Sequence, residues 1–316
     1  MKAITNVRMG LFALLLMLVG CAQKPEPTAS IYPLDGVEPA VYYTAPTPLN
    51  EGYKGELAII MIQGWHGGVH IIPGYFALQD AIKDSYVILP MFPRNEMMQT
   101  YNIEPDGRAI WNDSWPLDLT IPGVPDDDWR GGGDANGTEL SSFDIIDLLL
   151  AKFSDKKAFP NLKRVALVGF SAGGQFVGRY VAVGKGEVAP HLELVYAAMA
   201  PSTFLIPDPN DTWHYGLKNR PRYSRELSEE QIMENLRSRR CLHACGDADT
   251  LEKALDKTAS AMKQGENRYV RFLNFQALVN SDPRWKSVTT FHTFKDIGHK
   301  STAAYADPVF IKYVTE

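Results

Sequence analysis

Apolar residues along this chain come in two rhythms. Short uninterrupted runs at 58–62, 86–89 and 165–168 have strand length without the alternation of a half-exposed strand, so each reads as a strand covered on both faces. Residues 192–199, broken only by Glu193, read as another strand. Between them lie segments with helical spacing: 75–83 with Phe76, Leu78, Ala81 and Ile82, 141–153 with Phe143, Ile146, Leu149, Leu150 and Phe153, and 175–183. Residues 240–245 and 287–294 read as two further strands, and 229–237, 251–263 and 269–278 as helices. Strand, helix, strand at these lengths is a βαβ unit, and its recurrence without an internal repeat implies one α/β domain, a mostly parallel sheet flanked by helices. Two stretches, 94–136 and 201–221, lose all periodicity, and the first is rich in Asp, Pro, Gly and Trp. Loops that long in a compact domain are usually functional.

The first twenty residues stand apart. Lys2 and Arg8 precede an apolar run, 9–20, that is too short to span a bilayer and reads as a signal peptide. The run ends Leu18-Val19-Gly20-Cys21, which resembles the bacterial lipobox. That resemblance implies lipidation of Cys21 and anchoring in the cell envelope, and Ala22, where inner-membrane retention uses aspartate, favours the outer membrane. The competing reading is an ordinary signal peptide with a chance cysteine. Pro25, Pro27 and Pro33 mark 21–35 as an extended tether, leaving 36–316 as the folded domain.

Charge narrows the partners. A net charge of −5 over 316 residues, with no basic stripe, argues against nucleic acid. Cys241 and Cys245, four apart on a strand, would have Cα atoms about 13 Å apart, beyond disulfide reach. They are expected as two buried thiols, too few for a zinc site. The run Asp126-Asp127-Asp128 reads as a solvated acidic turn, and no metal or other cofactor is expected. Gly131-Gly132-Gly133 does not lie between a strand and a helix as a phosphate loop must, and reads as a close backbone approach or a hinge.

The candidate chemistry sits at strand ends. Gly169-Phe170-Ser171-Ala172-Gly173 closes an apolar strand and opens a helix, the pattern of an elbow that holds a serine hydroxyl out at the sheet edge. Gly246-Asp247-Ala248-Asp249 closes a later strand, and Gly298-His299 follows the last one. This order of Ser, Asp and His resembles the α/β-hydrolase superfamily over everything after the tether. The resemblance implies that Ser171 attacks a carbonyl, His299 acts as base and then acid, and Asp249 orients His299. Asp247 and Asp296 are rivals for the acid, and the superfamily spacing Gly-x-x-Asp favours Asp249. Among the other histidines, His243 and His292 fall within strands, His191 near a turn, and His66 and His70 in the glycine-rich loop after the first apolar run. An oxyanion needs two backbone donors. Ala172 supplies one, and the second is Trp65, if Gln63-Gly64-Trp65 matches the His-Gly-x turn of hydrolases, or Gly67, if His66-Gly67-Gly68 matches the His-Gly-Gly turn of esterases.

Trp65, Trp111, Trp115, Trp129 and Trp213 all lie in loops after strand ends. With His66 they are expected to line an aromatic mouth suited to sugars, aromatic acids or acyl groups. The alternative is that they cement the two long loops to the body. The expectation is thus a lipid-anchored serine hydrolase, a carboxylic-ester hydrolase first. Its rivals are a peptidase or lipase on the same scaffold, and a non-catalytic lipoprotein that holds a glycan or another envelope component.

Overall fold

A computed structural model describes residues 29–62, 64–65, 73–100, 107–111, 128–251 and 255–316. Two short strands, β1 (Ser30–Pro33) and β2 (Tyr42–Ala45), open the fold. Strand β3 (Leu57–Ile62), helix α1 (Pro73–Ala81) and strand β4 (Ser85–Pro90) make the first βαβ unit. After α2 (Asn95–Thr100) and a 3-10 turn at Trp129–Gly131 come α3 (Ser142–Phe153), β5 (Arg164–Phe170), α4 (Ala172–Val183) and β6 (Glu193–Met199). The last third holds α5 (Glu229–Ser238), β7 (Cys241–Gly246), α6 (Ala259–Gln264), α7 (Arg268–Asn280) and α8 (Pro283–Val288), followed by β8 (Thr289–Phe294), α9 (Ser301–Tyr305) and α10 (Pro308–Thr315).

The strands form one sheet in the order β1-β2-β4-β3-β5-β6-β7-β8. From β4 to β8 every pairing is parallel, and β1 and β2 extend the β4 edge antiparallel. Every residue of β3 and β7 is buried, as expected of strands covered on both faces. Chain order reverses at β3, with β4 on one side and β5 on the other. Such a switch point opens a crevice at the carboxyl ends of its strands. Helix α4 packs on β5 and β6 and is buried at every residue except Gly178. It therefore presents no face to solvent, as a helix at the centre of its layer does, and its polar side chains Gln175 and Arg179 bond inward to Thr203.

Four expectations need correction. Ser30–Pro33, assigned to the tether on its prolines, is the edge strand β1, because its backbone finds a partner in β2 through the register Ser30↔Ala45 to Pro33↔Tyr42. Of the helix expected over 251–263, residues 252–254 lie outside the described residues, and among the described ones the helix spans Ala259–Gln264. Ahead of it, the Asp256 N–H donates to Ser202 Oγ, its carboxylate accepts from Tyr215 Oη and its carbonyl accepts from Arg271, and these tertiary bonds hold 255–258 out of helical geometry. The last strand begins at Thr289, since the Asp282 side chain caps α8 at Arg284 and Trp285. Finally, Asp128 is not solvated: it is buried and ion-paired with buried Arg130, while Asp126 and Asp127 lie outside the described residues. Cys241 and Cys245 are free and buried, as expected.

Candidate active site

Ser171 stands at the junction of β5 and α4 with φ 59° and ψ −119°, a backbone region that side chains with a Cβ rarely occupy. Two backbone bonds over-determine it: the Ser171 N–H donates to Met199 O at 2.9 Å, and its carbonyl accepts from the Gln175 N–H at 3.0 Å. The turn is so tight that a Cβ on Gly169 would stand 2.2 Å from Gly173 O. Hence the first glycine of the elbow is sterically required.

On the neighbouring side, β7 and β8 deliver the acid and the imidazole. Gly246 ends β7 against the loop after β8, where a Cβ would lie 1.9 Å from Ile297 O. The Ala248 N–H donates to that same carbonyl at 3.2 Å. The two loops are thus stitched backbone to backbone, and the stitching brings Asp249 to His299. Asp249 Oδ2 lies 2.6 Å from His299 Nδ1, and His299 Nε2 lies 2.9 Å from Ser171 Oγ. A carboxylate only accepts, so Nδ1 carries the proton and Nε2 is left to accept from the serine hydroxyl. Asp249 is 1% exposed. Its other oxygen, Oδ1, faces Arg268 at 3.5 Å, and both side chains of this pair are buried. Burial pulls the Arg268 guanidinium down from its usual range, and Asp249 opposes that shift.

The rivals fall elsewhere. The Asp247 carboxylate braces the two loops, its Oδ1 accepting from the Asp296 backbone N–H at 2.7 Å, and the carboxylate that His299 Nδ1 meets is that of Asp249. His243 is packed among Phe204, Phe275 and Phe291, with its pKa pushed down to about 3 by burial. His292 Nε2 lies 3.1 Å from Asp307, and His191 sits in the turn before β6.

Of the two proposed backbone donors, Ala172 is the first residue of α4, whose opening amides have no carbonyl within the helix to bind. The loop after β3 also runs past the serine, since a Cβ on Gly64 would lie 4.0 Å from Ser171 Cβ. Trp65 follows directly. Its half-buried ring lies under the guanidinium of Arg94, 4.1 Å from the centroid, and 5.0 Å from that of Arg130. Gln63, His66, Gly67, His70 and Trp115 lie outside the described residues, as does Cys21.

The expected aromatic mouth is not formed by the other described tryptophans. Trp111, Trp129 and Trp213 are 0%, 1% and 5% exposed. Trp111 Nε1 donates to Gly133 O and Trp213 Nε1 to Gly131 O, while Trp129 stacks on Phe92. They therefore fasten the long loops to the body, the alternative weighed from sequence. The glycine run is their anchor and lies against α3, where a Cβ on Gly132 would meet the Phe143 ring at 2.4 Å. Sequence reasoning missed Arg94, Arg130, Arg179 and Arg268, all buried near these elements. An arginine carries no local signal of burial, whether it stands in a loop, as Arg94 and Arg130 do, or in a helix, as Arg179 in α4 and Arg268 in α7 do. Among the described residues, no group of three or more His, Cys, Asp or Glu side chains could hold a metal ion, and no helix is long and apolar enough to cross a membrane.

No family model and no curated protein matches the sequence. Solved structures do resemble it. One is the poly(aspartic acid) hydrolase-1 of Sphingomonas sp. KT-1, with 20% identity over 92% of this chain and 100% of that one, at a TM-score of 0.60. Another is a poly(3-hydroxybutyrate) depolymerase of Bordetella parapertussis, with 18% identity over 91% of this chain and 93% of that one, at a TM-score of 0.61. At such identity the likeness is one of architecture, and together with the eight-stranded, mostly parallel sheet it shows the α/β-hydrolase fold.

Proposed function

We propose that this protein is a serine hydrolase that cleaves carboxylic esters, with Ser171 as nucleophile, His299 as general base and acid, and Asp249 as the residue that orients His299. The observation that carries the reading is the unbroken relay Asp249 Oδ2, His299 Nδ1, His299 Nε2, Ser171 Oγ, at 2.6 and 2.9 Å. A serine hydroxyl is a weak nucleophile until an imidazole in hydrogen-bond reach takes its proton, and the carboxylate stabilises the imidazolium that results. In this reading the oxyanion is held by the Ala172 N–H at the start of α4 and by the Trp65 N–H from the loop after β3. The reaction then runs through an acyl-enzyme on Ser171, resolved by water that His299 deprotonates. A binding-only protein has no need of three competent groups in line, which weighs against the non-catalytic reading.

In this reading the protein is also tethered in the bacterial envelope by lipid on Cys21, with the outer membrane favoured, and what supports it is the resemblance of Leu18-Val19-Gly20-Cys21 to a lipobox. Export is tested separately by radiolabelled palmitate incorporation into wild type and Cys21→Ser. Label in both, or in neither, removes the anchor from the proposal.

For the activity, the full chain is purified in detergent and treated with a fluorophosphonate probe, and hydrolysis of a short-chain p-nitrophenyl ester is followed in parallel. Labelling and turnover should both be present in wild type and both be abolished in Ser171→Ala. A folded wild type that neither labels nor turns over ester refutes the hydrolase reading.

A further inference from the structure

Beside His299 lies a cavity of 400 Å³, within the size range of small-molecule sites. Its walls come from the end of β3, the start of α1, the elbow and α9. Met61, Pro73, Phe170 and Tyr305 give it an apolar surface. Met61 and Tyr305 are almost wholly buried and form its floor, while Thr302 and Lys300 are exposed at its rim. Lys300 is the one lysine or arginine among the described lining residues, and no carboxylate is among them. The seam between α1 and α9 is closed by the absence of a side chain at Gly74, where a Cβ would stand 3.1 Å from Ser301 Oγ and 3.3 Å from Tyr305 Cε2.

We propose that this cavity receives the alcohol half of the ester, and that it selects an uncharged, apolar alcohol bearing a ring or a branched alkyl group. The proposal rests on the hydrolase reading above, and on the direction in which that reaction must run. Ser171 Oγ bonds to the carbonyl carbon while its proton passes to His299 Nε2. When the tetrahedral intermediate collapses, the carbon–oxygen bond to the alcohol breaks, its electron pair stays on the alcohol oxygen, and the proton on Nε2 passes to that oxygen. The acyl group remains on Oγ and a neutral alcohol leaves. The leaving oxygen therefore lies against Nε2, and the group attached to it extends into the space that His299 itself lines. The carbonyl oxygen is held in the same step by the Ala172 and Trp65 N–H groups. An apolar ring gains from removal of its surface from water by Met61, Phe170 and Tyr305. A quaternary ammonium would meet the Lys300 ammonium at the rim and no carboxylate among the described lining residues.

The test uses butyrate esters of ethanol, benzyl alcohol and choline with the full-length protein, so that only the alcohol varies. Ethanol and benzyl alcohol are leaving groups of similar basicity, so a difference between them reports the cavity. Wild type should favour the benzyl over the ethyl ester by about tenfold or more in kcat/KM, with the choline ester below both. Thr302→Trp, which fills the rim from an exposed position, should bring the benzyl-to-ethyl ratio close to one. A ratio near one in wild type, a choline ester preferred to the ethyl ester, or an unchanged ratio in Thr302→Trp overturns the assignment. Ser171→Ala separates the two levels of the reading. Turnover that survives in it overturns the hydrolase proposal itself, whereas Ser171-dependent turnover with no alcohol preference overturns only the cavity's role. The wild-type series stands alone should Thr302→Trp fail to fold.

Discussion

Helix α4 contains two glycines four residues apart that should answer oppositely to the same substitution. A Cβ at Gly174 would stand 2.3 Å from Met199 O, about 0.7 Å inside the closest approach that Cβ atoms tolerate, and 3.1 Å from Met199 N and C. All three are backbone atoms of β6 and cannot swing aside. Met199 O is also the acceptor for the Ser171 N–H at 2.9 Å, so the displacement is transmitted to the elbow. At Gly178 the added Cβ would meet only the Ala198 methyl at 3.9 Å, an ordinary contact. Alanine in a helix interior is favoured over glycine by about 1 kcal/mol. That gain is uncontested at 178. At 174 it is set against overpacking of about 1–3 kcal/mol, leaving Gly174→Ala neutral to about 2 kcal/mol less stable. The larger effect should be on rate. A shift near 0.7 Å between Ser171 Oγ and His299 Nε2 should lower kcat/KM by about 10–100-fold, given that misplacement by 1 Å can cost about 100-fold. Urea unfolding followed by circular dichroism, with hydrolysis of a short-chain ester, measures both. Gly178→Ala should be equal to or more stable than wild type and active within about twofold. If Gly174→Ala is as stable and as active as Gly178→Ala, the account of why the elbow needs this glycine is wrong.

Two further outcomes follow from the same geometry. Asp249→Asn should lower kcat by about 10³–10⁴-fold by forcing the wrong imidazole tautomer, while Asp247→Asn, whose carboxylate braces only the Asp296 N–H, should stay within about tenfold of wild type on the same ester assay; a collapse in Asp247→Asn instead would reverse the assignment of the acid. His243 is held neutral by burial with a pKa near 3, against about 6.5 when unfolded. The unfolded chain therefore binds a proton below pH 6.5 that the folded chain refuses until about pH 3, and stability drains away across that window as pH falls. Between pH 7 and pH 5 this amounts to about 2 kcal/mol, so His243→Leu should lose about that much less than wild type in urea titrations at the two pH values. Equal losses would mean that the imidazole is not kept neutral by its burial.

How much of this was legible beforehand varies along the chain for physical reasons. The parallel core was readable because strands covered on both faces must be apolar throughout, and the runs at 58–62 and 165–168 coincide with β3 and β5. The elbow was readable because its turn demands glycine where strand and helix approach, as at Gly169 against Gly173 O. Helices α8 and α10 carried a local signal that went unread: Asp282-Pro283 and Asp307-Pro308 each place a capping carboxylate before a proline at the first helical position. By contrast, β1 and β2 had no local signal, because their hydrogen bonds come from the sheet edge they join.

The tryptophans mark the boundary most clearly. Sequence placed Trp111, Trp129 and Trp213 in loops after strand ends, and that is where they are. Whether such a ring faces substrate or the interior depends on what the far end of the loop finds, and these find Phe92, Phe176 and the carbonyls of Gly131 and Gly133. By itself the sequence determined the order of the elements and which residue types stand at their carboxyl ends, because periodicity and steric permission are local properties. The tertiary structure alone decided which of those residues meet. His299 lies 128 positions from Ser171 and 50 from Asp249, and hydrogen-bond distances across such separations are set by strand order, by the register of β7 on β8, and by backbone contacts such as Gly246 against Ile297, none of which is written in any one segment.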